Sequence, residues 1–329
     1  MTKIRDIGEQ GLLKIVQKYC PQDIIGDDGA IIKTTPEQLL VITTDLLIEG
    51  VHFSDRTTSP YHIGWRSATA NLSDLAAMGA TPLGITIGLG INQDLSVNYV
   101  EEIYQGLGGC LSQYETPILG GDIVRSPIIT LAITAFGEVE FNHTIKRATS
   151  QVGDVILMTG FHGLSKAGLE LLLHPQLNHN LTPEQQNFFK KAHQQPQPRL
   201  DILPVLKNEN IRISGMDSSD GLADAIIQIC QMSGVGAKID INLIPIPPGF
   251  DNWLTKEQIL NWILYGGEDF ELILTLPEIN AKNIINKIGN NAAIIGYITE
   301  EKEIILTDHT GKYSSQNLKQ NQTFQHFKH

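Results

Sequence analysis

Leu39-Leu40-Val41-Ile42-Thr43-Thr44-Asp45, and after it Ser59-Pro60 leading an apolar run through Trp65, Ala68, Leu72, Leu75 and Ala76 to Gly79, decide the fold class. The first piece is rich in Leu, Val, Ile and Thr and reads as a β-strand ending in a carboxylate. The second reads as a helix. Ser59 suits the N-cap, Pro60 suits the first helical position because it has no N–H to leave unpaired, and Gly79 can close the last turn. A second strand reads at Leu83 to Ile91 and a second helix from Ser96 to about Tyr114. Pro117 to Asp122 and Ile128 to Val139 read as two further strands. Alternating strands and helices of this kind predict α/β layering.

The alternation starts again at Val155-Ile156-Leu157-Met158, with strands expected near Ile211–Met216, Ala237–Ile241, Phe270–Leu276 and Ala292–Ile298. A chain of 329 residues is long for one hydrophobic core. The polar stretch Asn142 to Gln151 is the natural divide, giving expected domains at 1–141 and 142–329. Gln194 to Pro198 reads as a surface linker, and the polar last dozen residues read as a frayed tail.

Lys and Arg number 24 against 36 Asp and Glu, a formal charge of −12, which argues against a broad nucleic-acid surface. No run approaches the ~20 apolar residues that span a bilayer, and the N-terminus opens no apolar segment of signal length. Cys20, Cys110 and Cys230 are too scattered for a disulfide framework. A cytoplasmic enzyme with no membrane or nucleic-acid partner is the expectation.

The chemistry signal is a series of aspartates among small and hydroxylic residues. They occur in Gly26-Asp27-Asp28-Gly29-Ala30, Thr43-Thr44-Asp45, Asn71-Leu72-Ser73-Asp74, Gly120-Gly121-Asp122 and Asp217-Ser218-Ser219-Asp220-Gly221. Several follow apolar strands, and open α/β sheets collect ligands at the carboxyl ends of their strands. Carboxylates alone repel phosphates. Grouped with hydroxyls they suit a hard cation such as Mg²⁺, which takes oxygen ligands and holds phosphates, and the glycines let backbone N–H groups approach a phosphate. Each aspartate taken singly equally suits a turn or a helix cap. The P-loop and the protein-kinase motifs are both missing.

These motifs, in this order and together with Asn71 to Ala80 and Tyr265-Gly266-Gly267-Glu268-Asp269-Phe270-Glu271-Leu272, resemble the thiamine-monophosphate kinase family from the N-terminus almost to Phe327. The resemblance implies two α/β domains of the aminoimidazole ribonucleotide synthetase-like type, with the N-terminal domain forming the interface of a homodimer. It places Asp28, Thr43, Thr44, Asp45, Asp74, Asp122, Asp217 and Asp220 where the family binds several Mg²⁺ ions. Tyr104, Gly121, Asp122, Arg147 and Ser219 fall where it holds ATP. His52, Glu268 and Phe324 fall where it holds thiamine monophosphate. Phe324 is matched through Thr323-Phe324-Gln325-His326-Phe327, in which Thr323 and Gln325 replace the family's glycine and acid, so Phe327 is the alternative aromatic.

The activity so implied is transfer of a phosphoryl group from ATP to thiamine monophosphate, giving ADP and thiamine diphosphate. A phosphate monoester has its second pKa near 6 and is a dianion at neutral pH, so it attacks without a general base, unlike the hydroxyl acceptor of a protein kinase. No side chain is therefore expected to act as acid, base or nucleophile. Two other readings stay open at this point. One is an aminoimidazole ribonucleotide synthetase-like ATP-dependent enzyme. The other is a nucleotide-binding homologue that has lost turnover.

Overall fold

The computed structural model describes residues 1–22, 24, 29–289, 291–311 and 315–318. They divide into two compact units, Met1–Leu75 with Ala80–Glu140 and Ala76–Gly79 with Phe141–His329. Asp28, Phe324 and Phe327 lie outside the described residues, as does most of the polar tail.

In the first unit the order is α1 (Ile4–Val16), β1 (Leu39–Ile48), α2 (Pro60–Ala77), β2 (Thr81–Ile91), α3 (Val97–Leu111), β3 (Ile118–Arg125) and β4 (Thr130–Val139). Among the described residues the strands form one four-stranded sheet in the order β1-β4-β2-β3. Pairing is antiparallel except between β2 and β3. The end signals act as read. The Ser96 hydroxyl accepts the Tyr99 N–H at 3.2 Å and caps α3. Gly79 takes φ +75° after α2, while Ala80 N–H bonds Leu75 O and Gly79 N–H bonds Ala76 O. That paired return of N–H groups to the last carbonyls is how a glycine after the last turn closes a helix. α2 and α3 cross in backbone contact: a Cβ on Gly64 would stand 1.9 Å from Ile103 O, and one on Gly106 1.7 Å from Tyr61 O.

The second unit runs β5 (Val155–Met158), α4 (Leu164–Leu173), α5 (Pro183–Gln194), α6 (Leu203–Glu209), β6 (Ser214–Asp217), α7 (Leu222–Ser233), β7 (Gly236–Asp240), α8 (Phe250–Trp253), α9 (Lys256–Tyr265), β8 (Leu272–Leu276), α10 (Glu278–Ile288), β9 (Ala293–Thr299), β10 (Ile304–Thr307) and β11 (Gln316–Asn317). Its sheet has the order β11-β10-β7-β9-β5-β8-β6 among the described residues. The buried core joins Ile156 and Ile273 on the strands with Phe189, Ile226, Phe250 and Ile263 on the helices.

Three expectations change. β1 continues three residues past Asp45 and β3 three past Asp122, so both aspartates stand inside strands. Most strand pairs are antiparallel. A rule that gathers ligands at the carboxyl ends of parallel strands therefore does not describe these sheets. Gln194 to Pro198 is no loose linker either, because Pro196 and Pro198 are buried.

Candidate active site

In the first unit the site residues come from β1, α2, α3 and β3. Side chains alternate across a strand, so Thr43 and Asp45 share one face of β1 and Thr44 takes the other. The Thr43 hydroxyl donates a very short hydrogen bond to Asp74 Oδ2 on α2, and Asp45 N–H donates to Asn71 Oδ1 at 3.1 Å. Asn71 is fully buried, and its amide nitrogen donates to Ser67 O at 3.0 Å. Ser67, Asn71 and Asp74, spaced four and three apart, thus form a polar stripe along one side of α2. The Thr44 hydroxyl instead pairs with Thr134 at 2.9 Å on the opposite face.

Asp122 is exposed on β3, and its Oδ1 accepts the Ile123 N–H at 2.9 Å. Gly121 has a structural reason to be glycine: a Cβ there would meet Ile87 O of the neighbouring strand at 2.0 Å. Gly121 and Tyr104 line a cavity of about 340 Å³, whose walls include Leu13, Val16, Ile118 and Leu119. That volume is in the range of small-molecule sites. Tyr104 is buried on α3, stacks obliquely on Tyr19 with centroids 5.6 Å apart, and burial raises its phenol pKa beyond the usual range. His52 lies in the turn after β1, where its Nδ1 accepts the Ile48 N–H at 3.1 Å. A neutral ring bonded this way carries its proton on Nε2.

In the second unit the site stands on two loops that hold each other. The first, Asp217 to Gly221, leaves β6 at a buried Asp217, and the Ser219 hydroxyl lies 3.3 Å from Asp217 Oδ1. The second, Gly266 to Glu271, connects α9 to β8. Glu268 N–H donates to Ser219 O at 2.7 Å and Ser218 N–H donates to Glu271 O at 2.8 Å. Glu268 and Phe270 both take positive φ, +66° and +54°, which is strained for residues with a Cβ. Arg147, in the turn before β5, donates to Gln228 on α7 at 2.6 Å.

Motif reading gave a role to Glu268 alone in the second loop and missed what its neighbours do. Asp269 is half-buried and caps α4, accepting the N–H groups of Gly163 at 2.6 Å and Ser165 at 2.7 Å. Burial pushes its carboxyl up to about 7 against those two bonds. Glu271 pairs with Arg199 at 2.5 Å and with the Thr159 hydroxyl at 2.6 Å. Burial raises its pKa too, opposed by the Arg199 charge. His193, buried on α5, places Nδ1 3.0 Å from the Ser165 hydroxyl and 3.8 Å from Glu268 Oε2. His162 is fully buried against Ser218. The available signal was three carboxylates within four residues beside no basic residue, a pattern that needs partners from elsewhere once buried.

Among the described residues no three His, Cys, Asp or Glu side chains gather closely enough to hold a metal ion by themselves. No described helix is long and apolar enough to cross a membrane.

The family model for the AIR synthase related protein, N-terminal domain, matches residues 26–139, and the model for its C-terminal domain matches residues 151–309. The thiamine-monophosphate kinase of Synechococcus elongatus is 46% identical over 331 residues, covering 98% of each chain. That of Escherichia coli K12 is 34% identical over 283 residues, 85% of each. Among solved structures, the thiamine-monophosphate kinase from Stenotrophomonas maltophilia has a TM-score of 0.80 at 27% identity, covering 91% of this chain and 96% of that one. AaThiL complexed with AMPPCP and TMP has a TM-score of 0.72 at 29% identity, covering 96% and 99%.

Proposed function

The chain belongs to the thiamine-monophosphate kinase family, and from that premise we propose that its ATP-dependent phosphoryl transfer to thiamine monophosphate is direct and in line, with the acceptor's own phosphate oxygen as nucleophile. The observation that carries this reading is the oxygen-only donor set of Thr43, Asp45 and Asp74, on one face of β1 and the α2 stripe beneath it. It offers ligands to a cation, and a carboxylate engaged by a cation is withdrawn from service as a base.

Mg²⁺ fits these residues. It is a hard ion that takes oxygen ligands, and it is commonly held by one or two carboxylates with phosphate oxygens and water completing the shell. That the described residues gather no three acidic side chains is consistent with that habit. In the first unit Thr43, Asp45, Asp74 and Asp122 would hold ions, and in the second Asp217 and Asp220 would do so; Asp28 belongs to the same expected set, whereas the Thr44 hydroxyl, turned to Thr134 on the far face, stands apart from it. Bound there, Mg²⁺ supplies charge neutralisation between two polyanions.

The remaining residues bind and orient. Tyr104 and Gly121 offer the nucleotide a cavity with apolar walls and exposed backbone. Arg147 brings a guanidinium suited to phosphate oxygens, and Ser219 a hydroxyl beside Asp217. For the acceptor, His52 would contribute an imidazole from the first unit and Glu268 a carboxylate from the second, and Phe324 belongs to the same expected set. Catalysis then rests on positioning and charge stabilisation.

A cytoplasmic homodimer belongs to the same reading. Leu40, Ile42 and Leu46, at 49%, 57% and 47% exposure, line the open face of edge strand β1, and a second copy of this unit would cover such an apolar strip.

ADP release dependent on thiamine monophosphate tests the function. Release is expected with thiamine monophosphate and absent with free thiamine, whose hydroxyl would need a base and which has no dianion to share the metal ions. Equal release with either acceptor, or with none, would overturn it.

A further inference from the structure

We propose that His162 is a positioning residue, which fixes the Asp217–Gly221 loop through the Ser218 hydroxyl. The proposal rests on the reading of that loop as metal- and nucleotide-binding. His162 lies in the turn between β5 and α4, with no solvent exposure. Its Nδ1 stands 3.2 Å from Gly160 O and its Nε2 2.9 Å from Ser218 Oγ. A carbonyl oxygen only accepts, so Nδ1 carries the ring proton. The ring is neutral, because burial lowers its pKa to about 4, so Nε2 has a lone pair and no hydrogen. The Ser218 hydroxyl must then donate to it.

That donation selects one of two partners. Ser218 Oγ also lies 3.1 Å from Glu271 O, and a hydroxyl has a single proton to give. With the hydroxyl proton donated to Nε2, Ser218 is held on two sides: its hydroxyl by the histidine and its N–H by Glu271 O at 2.8 Å. Asp217 and Ser219 flank it directly, and Ser219 O receives the Glu268 N–H at 2.7 Å. His162 thus spans from the Gly160 carbonyl to the middle of the loop as a rigid spacer. Without it the Ser218 proton is free to turn to Glu271 O, and the loop keeps its backbone bond but loses its side-chain fix. His162 reaches no substrate atom in this account and acts through Ser218 alone.

The test is steady-state kinetics on the full chain with four variants. His162→Leu removes the acceptor for the Ser218 proton. Ser218→Ala removes the proton from the other side with little change of volume, and so keeps the proposal testable if the leucine variant folds poorly. His162→Gln can return an amide oxygen to the position of Nε2. Asp217→Asn tests the underlying assignment of the loop. His162→Leu and Ser218→Ala are expected to raise the KM for Mg·ATP and the Mg²⁺ concentration for half-maximal rate by about 3- to 10-fold, the scale of one buried hydrogen bond. The KM for thiamine monophosphate should move less than about twofold. His162→Gln should recover most of the loss. Loss of thermal stability in His162→Leu and Ser218→Ala, with Mg·ATP and Mg²⁺ dependence unchanged, would mean a structural role only and overturn the proposal. If Asp217→Asn impairs Mg·ATP use while those two do not, the positioning role alone fails. If Asp217→Asn also leaves it unchanged, the loop assignment falls and the proposal with it.

Discussion

Asp45 and Asp122 are carried inside β1 and β3, and Asp74 on α2, whereas Ser219, Asp220 and Glu268 are carried on loops. In the first unit the ladder between β1 and β4 runs unbroken from Leu39 opposite Val139 to Ile48 opposite Thr130. Backbone bonds set the position of Thr43 and Asp45, and no single side chain can remove them. In the second unit the loop from Gly266 to Glu271 contains two residues at positive φ, a conformation that costs about 1 kcal/mol or more each and persists only where the surroundings over-determine it. The surroundings here are side chains, together with the backbone bonds that tie this loop to Ser218 and Ser219. Asp269 caps α4, Glu271 pairs with Arg199, and the Ser219 carbonyl takes the Glu268 N–H. Residues that never meet substrate should therefore matter in the second unit far more than in the first.

The largest effect expected from this contrast is at Arg199. Arg199→Ala leaves the part-buried Glu271 with the Thr159 hydroxyl but without its counter-ion; breaking one side of a fully buried ion pair costs about 3–5 kcal/mol, and this partly exposed pair falls at the lower end. Denaturant unfolding should show a loss of that order, with reduced activity in whatever fraction stays folded. A midpoint within experimental error of wild type would mean that the second loop does not depend on its side-chain supports.

Next comes Asp45→Asn or Asp122→Asn. Each removes an anionic oxygen with almost no change of shape, from an element that the sheet holds in place regardless. Turnover should fall about 100-fold or more, the scale seen when a charge-stabilising group is lost, while circular dichroism and thermal unfolding stay at wild-type values. Near-normal turnover at saturating Mg²⁺ in both variants would break the assignment.

The smallest effect sharpens the contrast between neighbours on β1. Thr43→Val removes the hydroxyl that bonds Asp74, and the Mg²⁺ requirement should rise several-fold, about the value of one hydrogen bond to a charged group. Thr44→Val removes the hydroxyl that bonds Thr134 on the far face, and Mg²⁺ dependence should stay within about twofold of wild type, since an exposed hydroxyl pair contributes little net energy. Similar losses in both would show that the strand's two faces do not divide the site from the open surface.

Elements with local start and stop chemistry were legible in the sequence. Ser59-Pro60 and Gly79 bracket α2, and Ser96 begins α3, because a cap needs only residues adjacent in the chain. β5 falls where its run of four apolar residues predicts it. Strand extent was not legible. Leu46-Leu47-Ile48 continues β1, but a carboxylate beside a threonine pair reads as an end when the neighbouring strand is invisible. Burial of Pro196 and Pro198 was hidden for the same reason, since composition marks a loop and says nothing of what packs on it. Asp45, Asp74, Asp122, Asp217 and Glu268 are candidates named from their motifs, and the variants above put those assignments to the test. Thr44 could not be set on its face before the register was known. Arg199 lies 72 positions from Glu271, and His162 lies 56 from Ser218, so no spacing rule could have joined them.

Direct transfer is the central claim, and it is tested most directly by incubating the protein with γ-labelled ATP and Mg²⁺ alone, weighing the intact chain, and then adding thiamine monophosphate. The account predicts an unmodified chain throughout, with label appearing in thiamine diphosphate only after the acceptor is added, because the aspartates serve as oxygen ligands and the acceptor's dianion attacks unaided. A stoichiometric phosphoryl adduct that forms with ATP alone and chases into product would contradict it and make one of the aspartates a nucleophile.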